Sequence, residues 1–99
     1  MAVIGKDSKQ PNEVLDWDVN FADWMRPGDE IDTTQAVIRL LAGPDTDPLT
    51  VDQVQNTTHM SKVWLRGGAD GARYRVQLRA DTIHGRVKET EFDISVKEV

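Results

Sequence analysis

The chain has 99 residues, a formal net charge of −5 and no cysteine. That length fits one domain. The missing thiols exclude disulfides, a cysteine nucleophile and cysteine-held zinc or iron–sulfur centres, and the acidic balance disfavours nucleic acid as a partner, because non-specific binding to a phosphate backbone needs clustered Lys and Arg.

Residues 1–12 read as an N-terminal arm. Val3 and Ile4 are its candidate packing residues, and Gly5 to Asn12 form a polar stretch rich in turn formers. Either this arm is a frayed terminus or a partner subunit orders it. Its apolar stretch is too short for a signal-peptide core. No apolar run approaches the ~18 residues of a membrane helix, so no membrane association is expected.

The domain proper is expected over residues 13–99. In residues 13–19, Leu15, Trp17 and Val19 alternate with Asp16 and Asp18, the period of a half-buried strand. Phe21 to Met25 suits one short turn of helix, and Arg26-Pro27-Gly28-Asp29 a tight turn. Residues 30–41 form a long strand. Its apolar phase switches between Ile31/Thr33 and Ala36/Ile38/Leu40, which predicts a bulge near Thr34-Gln35.

Gly43 to Pro48 is a loop, and residues 49–55 a weaker strand around Leu49, Val51 and Val54. In residues 59–66, Val63 and Leu65 alternate with Lys62, Trp64 and Arg66. After the glycine-rich turn at 67–71, Tyr74, Val76, Leu78 and Ala80 alternate with Arg73, Arg75, Gln77 and Arg79. Residues 86–97 oppose Phe92, Ile94 and Val96 to Glu91, Asp93, Ser95 and Lys97. The last two strands thus offer an Arg row and an acidic row, both outward, which as antiparallel neighbours would pair at about 0.2–1 kcal/mol per pair.

Short strands separated by turn signals about every ten residues argue for an all-β sandwich or barrel. The segment Asp70-Gly71-Ala72-Arg73-Tyr74-Arg75-Val76 favours the sandwich. Immunoglobulin domains carry Asp-x-Ala-x-Tyr-x-Cys at the turn into the penultimate strand, where the Tyr hydroxyl bonds back upstream. Here Asp70 and Tyr74 are the candidate corner pair, with Val76 where the Cys would be. The expected fold is an immunoglobulin-like β-sandwich of about six to seven antiparallel strands.

No constellation for catalysis emerges, and the chain is expected not to be an enzyme. His59 and His84 lack a second ligand at zinc spacing. Asp45 and Asp47 lack the glycine and terminal Glu of a calcium loop. None of the three serines sits in Gly-x-Ser-x-Gly. Neither metal nor cofactor is expected. The tryptophans carry the interest, since Trp serves both as core filler and as interface anchor. Trp17 shares phase with Leu15 and reads as core. Trp24 sits in a turn beside Met25. Trp64 is out of phase with Val63 and Leu65, so it faces outward, against a partner or under the arm. Val3, Ile4, Trp24 and Trp64 are the candidate interface.

Two blocks carry a resemblance. The first runs from Leu15-Asp16-Trp17-Asp18-Val19 through Phe21-Ala22-Asp23-Trp24-Met25 to Gly28-Asp29-Glu30-Ile31. The second runs from Val63-Trp64-Leu65-Arg66-Gly67-Gly68 through Asp70 and Tyr74 to Gly85-Arg86 and the final strand. Together they resemble the phage fiber–tail adaptor family, small immunoglobulin-like structural proteins of tailed bacteriophages. Phe21 departs from it, standing where another tryptophan is expected. The loop at Gly43–Pro48 and the strand after it match no family pattern. The resemblance implies a virion component of the tail or neck region, made in the bacterial host cytoplasm. It would be present in several copies and join tail or neck proteins to a fiber or tailspike, without a cofactor. The alternatives are a carbohydrate- or cell-surface-binding module and an accessory head-decoration or assembly protein.

Overall fold

The computed structural model of the chain describes residues 3–98, with side chains from Gly5 onward. Seven strands follow in order: β1 (Val3–Lys9), β2 (Leu15–Asn20), β3 (Ile31–Ala42), β4 (Thr50–Asn56), β5 (Met60–Arg66), β6 (Arg73–Thr82) and β7 (Val87–Val96). They form a four-stranded sheet in the order β1-β7-β6-β3 and a three-stranded sheet in the order β2-β5-β4. The described residues contain no helix. The fold is a β-sandwich. Its β2-β5-β4 and β3-β6-β7 neighbours are compatible with the B-E-D and C-F-G order of immunoglobulin-like domains.

The alternation along β5, β6 and β7 translates directly into burial. Val63, Leu65, Tyr74, Val76, Leu78, Ala80, Phe92, Ile94 and Val96 are all buried, joined by Val19, Phe21, Ile31, Leu49, Ala69 and Ala72. Each large apolar side chain taken fully from water contributes about 1.5–3 kcal/mol. A hydrogen bond of 2.7 Å between the hydroxyls of Thr34 and buried Ser61 ties the two sheets across this core. It satisfies a group that would otherwise cost its full desolvation.

Two details differ from the sequence expectation. The register of β3 shifts between Ile31 and Thr33, and again between Leu40 and Ala42. The first bulge thus falls at Asp32, two residues before Thr34. Asp32 and Thr33 are exposed, while Ile31 is buried and Thr34 half-buried. Ejecting the carboxylate lets residues on both sides of the bulge face inward. The second difference concerns the N-terminal segment. Residues 3–9 form a strand of the larger sheet, parallel to β7, with Lys6 opposite Asp93 and Lys9 opposite Val96.

No apolar alternation announces β1, because the side chains that secure it are polar. The Asp7 carboxylate accepts the Trp17 indole N–H at 2.9 Å. Lys9, only 2% exposed, donates its ammonium to the carbonyls of Gln10, Pro11 and Gly67. Burial holds the lysine pKa below its ordinary value, against the opposing effect of the Glu13 and Asp47 carboxylates.

The turn between β3 and β4 depends on Gly43. It has φ +89°, and a Cβ there would come within 2.5 Å of the Gly71 carbonyl oxygen. Both the left-handed backbone and the close approach require glycine.

Candidate assembly surfaces

The corner residues act as ties between distant segments. Tyr74 is 2% exposed, and its hydroxyl donates to the Asp45 carboxylate at 3.2 Å. Burial raises the phenol pKa, the amides of Ala69 and Leu49 oppose that rise, and the Asp45 carboxylate adds to it. Asp70 has a different partner, accepting the Glu98 amide at 2.9 Å. The corner thus pins the β3–β4 loop through Tyr74 and the end of the chain through Asp70.

The three tryptophans occupy three environments. Trp17 packs against the core and stacks on Phe92, with ring centroids 6.2 Å apart. Trp24 lies in the turn after β2, which is closed by hydrogen bonds from the Trp24 and Met25 amides to the Phe21 carbonyl. The Arg86 guanidinium sits 4.1 Å from its ring centroid and donates to its carbonyl at 3.0 Å. A cation over an indole face contributes roughly 0.5–1 kcal/mol where it is exposed. Trp24 is therefore half-buried beneath the β6–β7 turn. The side chains of Val3 and Ile4 lie outside the described residues.

Trp64 stands on the outer face of the three-stranded sheet, opposite Asp16 on β2 and Gln53 on β4. Its indole N–H donates to the Gln55 side chain at 3.3 Å. Both cations on this face are paired. Lys62 lies 3.4 Å from Asp16 and 3.9 Å from Asp18, and Arg66 lies 2.9 Å from Asp52. A recess of about 430 Å³ opens between Asp18, Gln55, Asn56, Thr57, Met60 and Lys62.

The opposite face is more strongly ionic. Arg75 on β6 makes a two-pronged bond to Asp93 on β7, at 2.9 and 3.2 Å, and Glu91 stands 3.4 Å from the same guanidinium. Asp93 is 6% exposed. The Arg75 hydrogen bonds hold its carboxyl below the usual range against the opposing push of burial. The cross-strand Arg–carboxylate pairing read from the alternation is present at this position. Arg79 instead pairs along its own strand with Asp81.

A further polar tie had no sequence signal beyond a turn motif. Asp29, 2% exposed, accepts the amides of Glu30 and His84 at 2.9 and 3.3 Å, with His84 Nδ1 3.6 Å away. Burial pushes its pKa up. The Thr82 hydroxyl, these two amides and the His84 ring outweigh that and leave it lowered. Asp29 thereby joins the β2–β3 loop to the β6–β7 turn. Among the described residues, no three His, Asp or Glu side chains gather closely enough to hold a metal.

A family model described as Podophage GP4 fiber-tail adaptor protein gp77 matches residues 9–95. The match begins at the last residue of β1 and takes in β2 to β6 and all but the end of β7. The comparison with curated proteins returns no match. The family match covers nearly the whole sandwich, and the chain therefore belongs to the phage fiber–tail adaptor family, structural components of the virion.

Proposed function

We propose that the chain is a non-enzymatic connector of a tailed-phage virion, present in several copies per particle and joining tail or neck proteins to a fiber or tailspike. The observation that carries this reading is the family match over residues 9–95. The surfaces support it. A sandwich whose ends are tied by Tyr74–Asp45, Asp70–Glu98 and Asp29–His84 offers two outer faces built on hydrogen-bonded strands. A connector needs surfaces that hold their shape without a partner, since ordering them on binding subtracts from affinity. Quantitative mass spectrometry of gradient-purified particles of the encoding phage tests the proposal. A fixed, low copy number is expected, and absence from particles overturns it.

One observation favours a second reading, a carbohydrate-binding module. Trp64, braced by Gln55 beside the recess at Asn56 and Lys62, joins an aromatic ring to amide and carboxylate groups, a combination suited to a sugar. Tryptophan fluorescence titrated with host polysaccharide decides it. No shift at millimolar sugar removes this reading.

A further inference from the structure

Lys6 on β1, Asp93 on β7, Arg75 on β6 and Arg39 on β3 stand opposite one another in register. They form one row across all four strands of the larger sheet, spanning about 14 Å at ~4.8 Å per strand. The centre of the row is self-satisfied, because Arg75 and Asp93 bond to each other. Its ends are not. Among the described residues, Lys6, Arg39 and the neighbouring Arg73 form no direct ion pair, although Lys6 and Arg73 favour the charged form of Asp93 through space, and all three are exposed.

Arg39 directly faces Arg75 across the β3–β6 ladder, but the Arg75 charge is already taken up by Asp93 and Glu91, which leaves Arg39 for another partner. A recess of about 420 Å³ lies between Lys6, Arg73, Arg75, Asp93 and Ser95. Val37, 61% exposed, adds an apolar contact two residues from Arg39.

We infer that this row docks an acidic segment of a neighbouring virion protein, an extended stretch whose carboxylates meet Lys6, Arg39 and Arg73 across the strands. The inference rests on the connector reading and gives that connector a face and a partner chemistry. Carboxylates suit the site because guanidinium groups bind them with two parallel hydrogen bonds. A long nucleic acid does not suit it, because such binding rests on many phosphate contacts and this row offers only three exposed cations.

The test uses the full chain and three labelled probes in fluorescence anisotropy: a ten-residue Glu/Ser peptide, the matching Lys/Ser peptide and a short single-stranded DNA. Preferential binding of the Glu/Ser peptide is expected, weakening with salt. The R39E/R73E variant should bind it about tenfold or more weakly, as removal of two charge-assisted contacts predicts. The K62E/R66E variant, altered on the opposite face, should bind it as wild type does. Circular dichroism and denaturation midpoints confirm that each variant folds. Undiminished binding by R39E/R73E overturns the inference, as does preference for DNA or for the Lys/Ser peptide. Sedimentation showing wild-type self-association that R39E/R73E abolishes makes the occupant a second copy and also overturns it. Particle composition separates this claim from the connector reading. Wild type in virions with R39E/R73E incorporated normally overturns the row and leaves the connector standing. Wild type absent from virions overturns both.

Discussion

β1 and β6 lie on either side of β7 in the same sheet, and they are held there by opposite means. β6 buries Tyr74, Val76, Leu78 and Ala80, so its place follows from removing apolar surface from water, which is non-directional. β1 is anchored by the Lys9 ammonium on three carbonyls and by Asp7 on the Trp17 indole. Such polar ties are directional, and they favour folding only when every group finds its partner. One strand is specified by its own pattern. The other is specified by what the rest of the fold presents to it.

The difference can be broken most severely at the apolar end. Replacing Leu78 by Ala should cost about 2–5 kcal/mol, the range for truncating a fully buried leucine, measured from the urea midpoint at constant slope. Replacing Gly43 by Ala should cost about 1–3 kcal/mol from backbone strain alone, with the clash against Gly71 adding to it. A midpoint near wild type would show that the β3–β4 turn relaxes.

At the polar end, Lys9→Ala should cost about 1.5–3 kcal/mol, the worth of hydrogen bonds to a charged group. Its signature is regional. Amide exchange along β1 should speed up more than along β6, and equal acceleration in both strands would mean that the lysine supports the whole sheet. Tyr74→Phe removes the bond to Asp45 and should cost about 1 kcal/mol. An unchanged midpoint would show that packing alone holds the corner.

The smallest effect is the pH dependence. Asp93 and Asp29 both have folded pKa values below the ordinary carboxylate value. Their contribution is therefore fully present above that value, near pH 4. It is lost as the pH falls through their lower folded values, because the unfolded chain takes up these protons first. Stability should fall on acidification below about pH 4, and Asp93→Asn should flatten that fall. An unaltered acid limb in this variant would assign it to other carboxylates.

Much of the molecule was legible in the chain itself. Alternation placed Val63 and Leu65 inward and Trp64 outward. It also set the faces of β6 and β7, because side-chain direction on a strand has a period of two residues and needs no knowledge of the neighbour. The bulge in β3 was legible as a phase change but misplaced, since several residues between Ile31 and Ala36 are polar enough to be the one ejected. Asp29 and Lys9 gave no signal, because a buried charge is recognised by its partners and these come from far along the sequence. The candidate interface was legible in part. The outward placement of Trp64 was readable from its phase, whereas Trp24 is half-covered by Arg86.

The sequence by itself determined an all-β chain, the inward faces of its main strands and the outward tryptophan, because burial follows a local period. The Asp70–Tyr74 corner motif favoured a sandwich over a barrel. Only the tertiary structure decided that residues 3–9 join β7 in parallel, that Tyr74 reaches Asp45, and that Lys6, Asp93, Arg75 and Arg39 share one row. Strand register is a long-range property. A shift by one residue leaves each strand's composition untouched and turns every side chain to the other face.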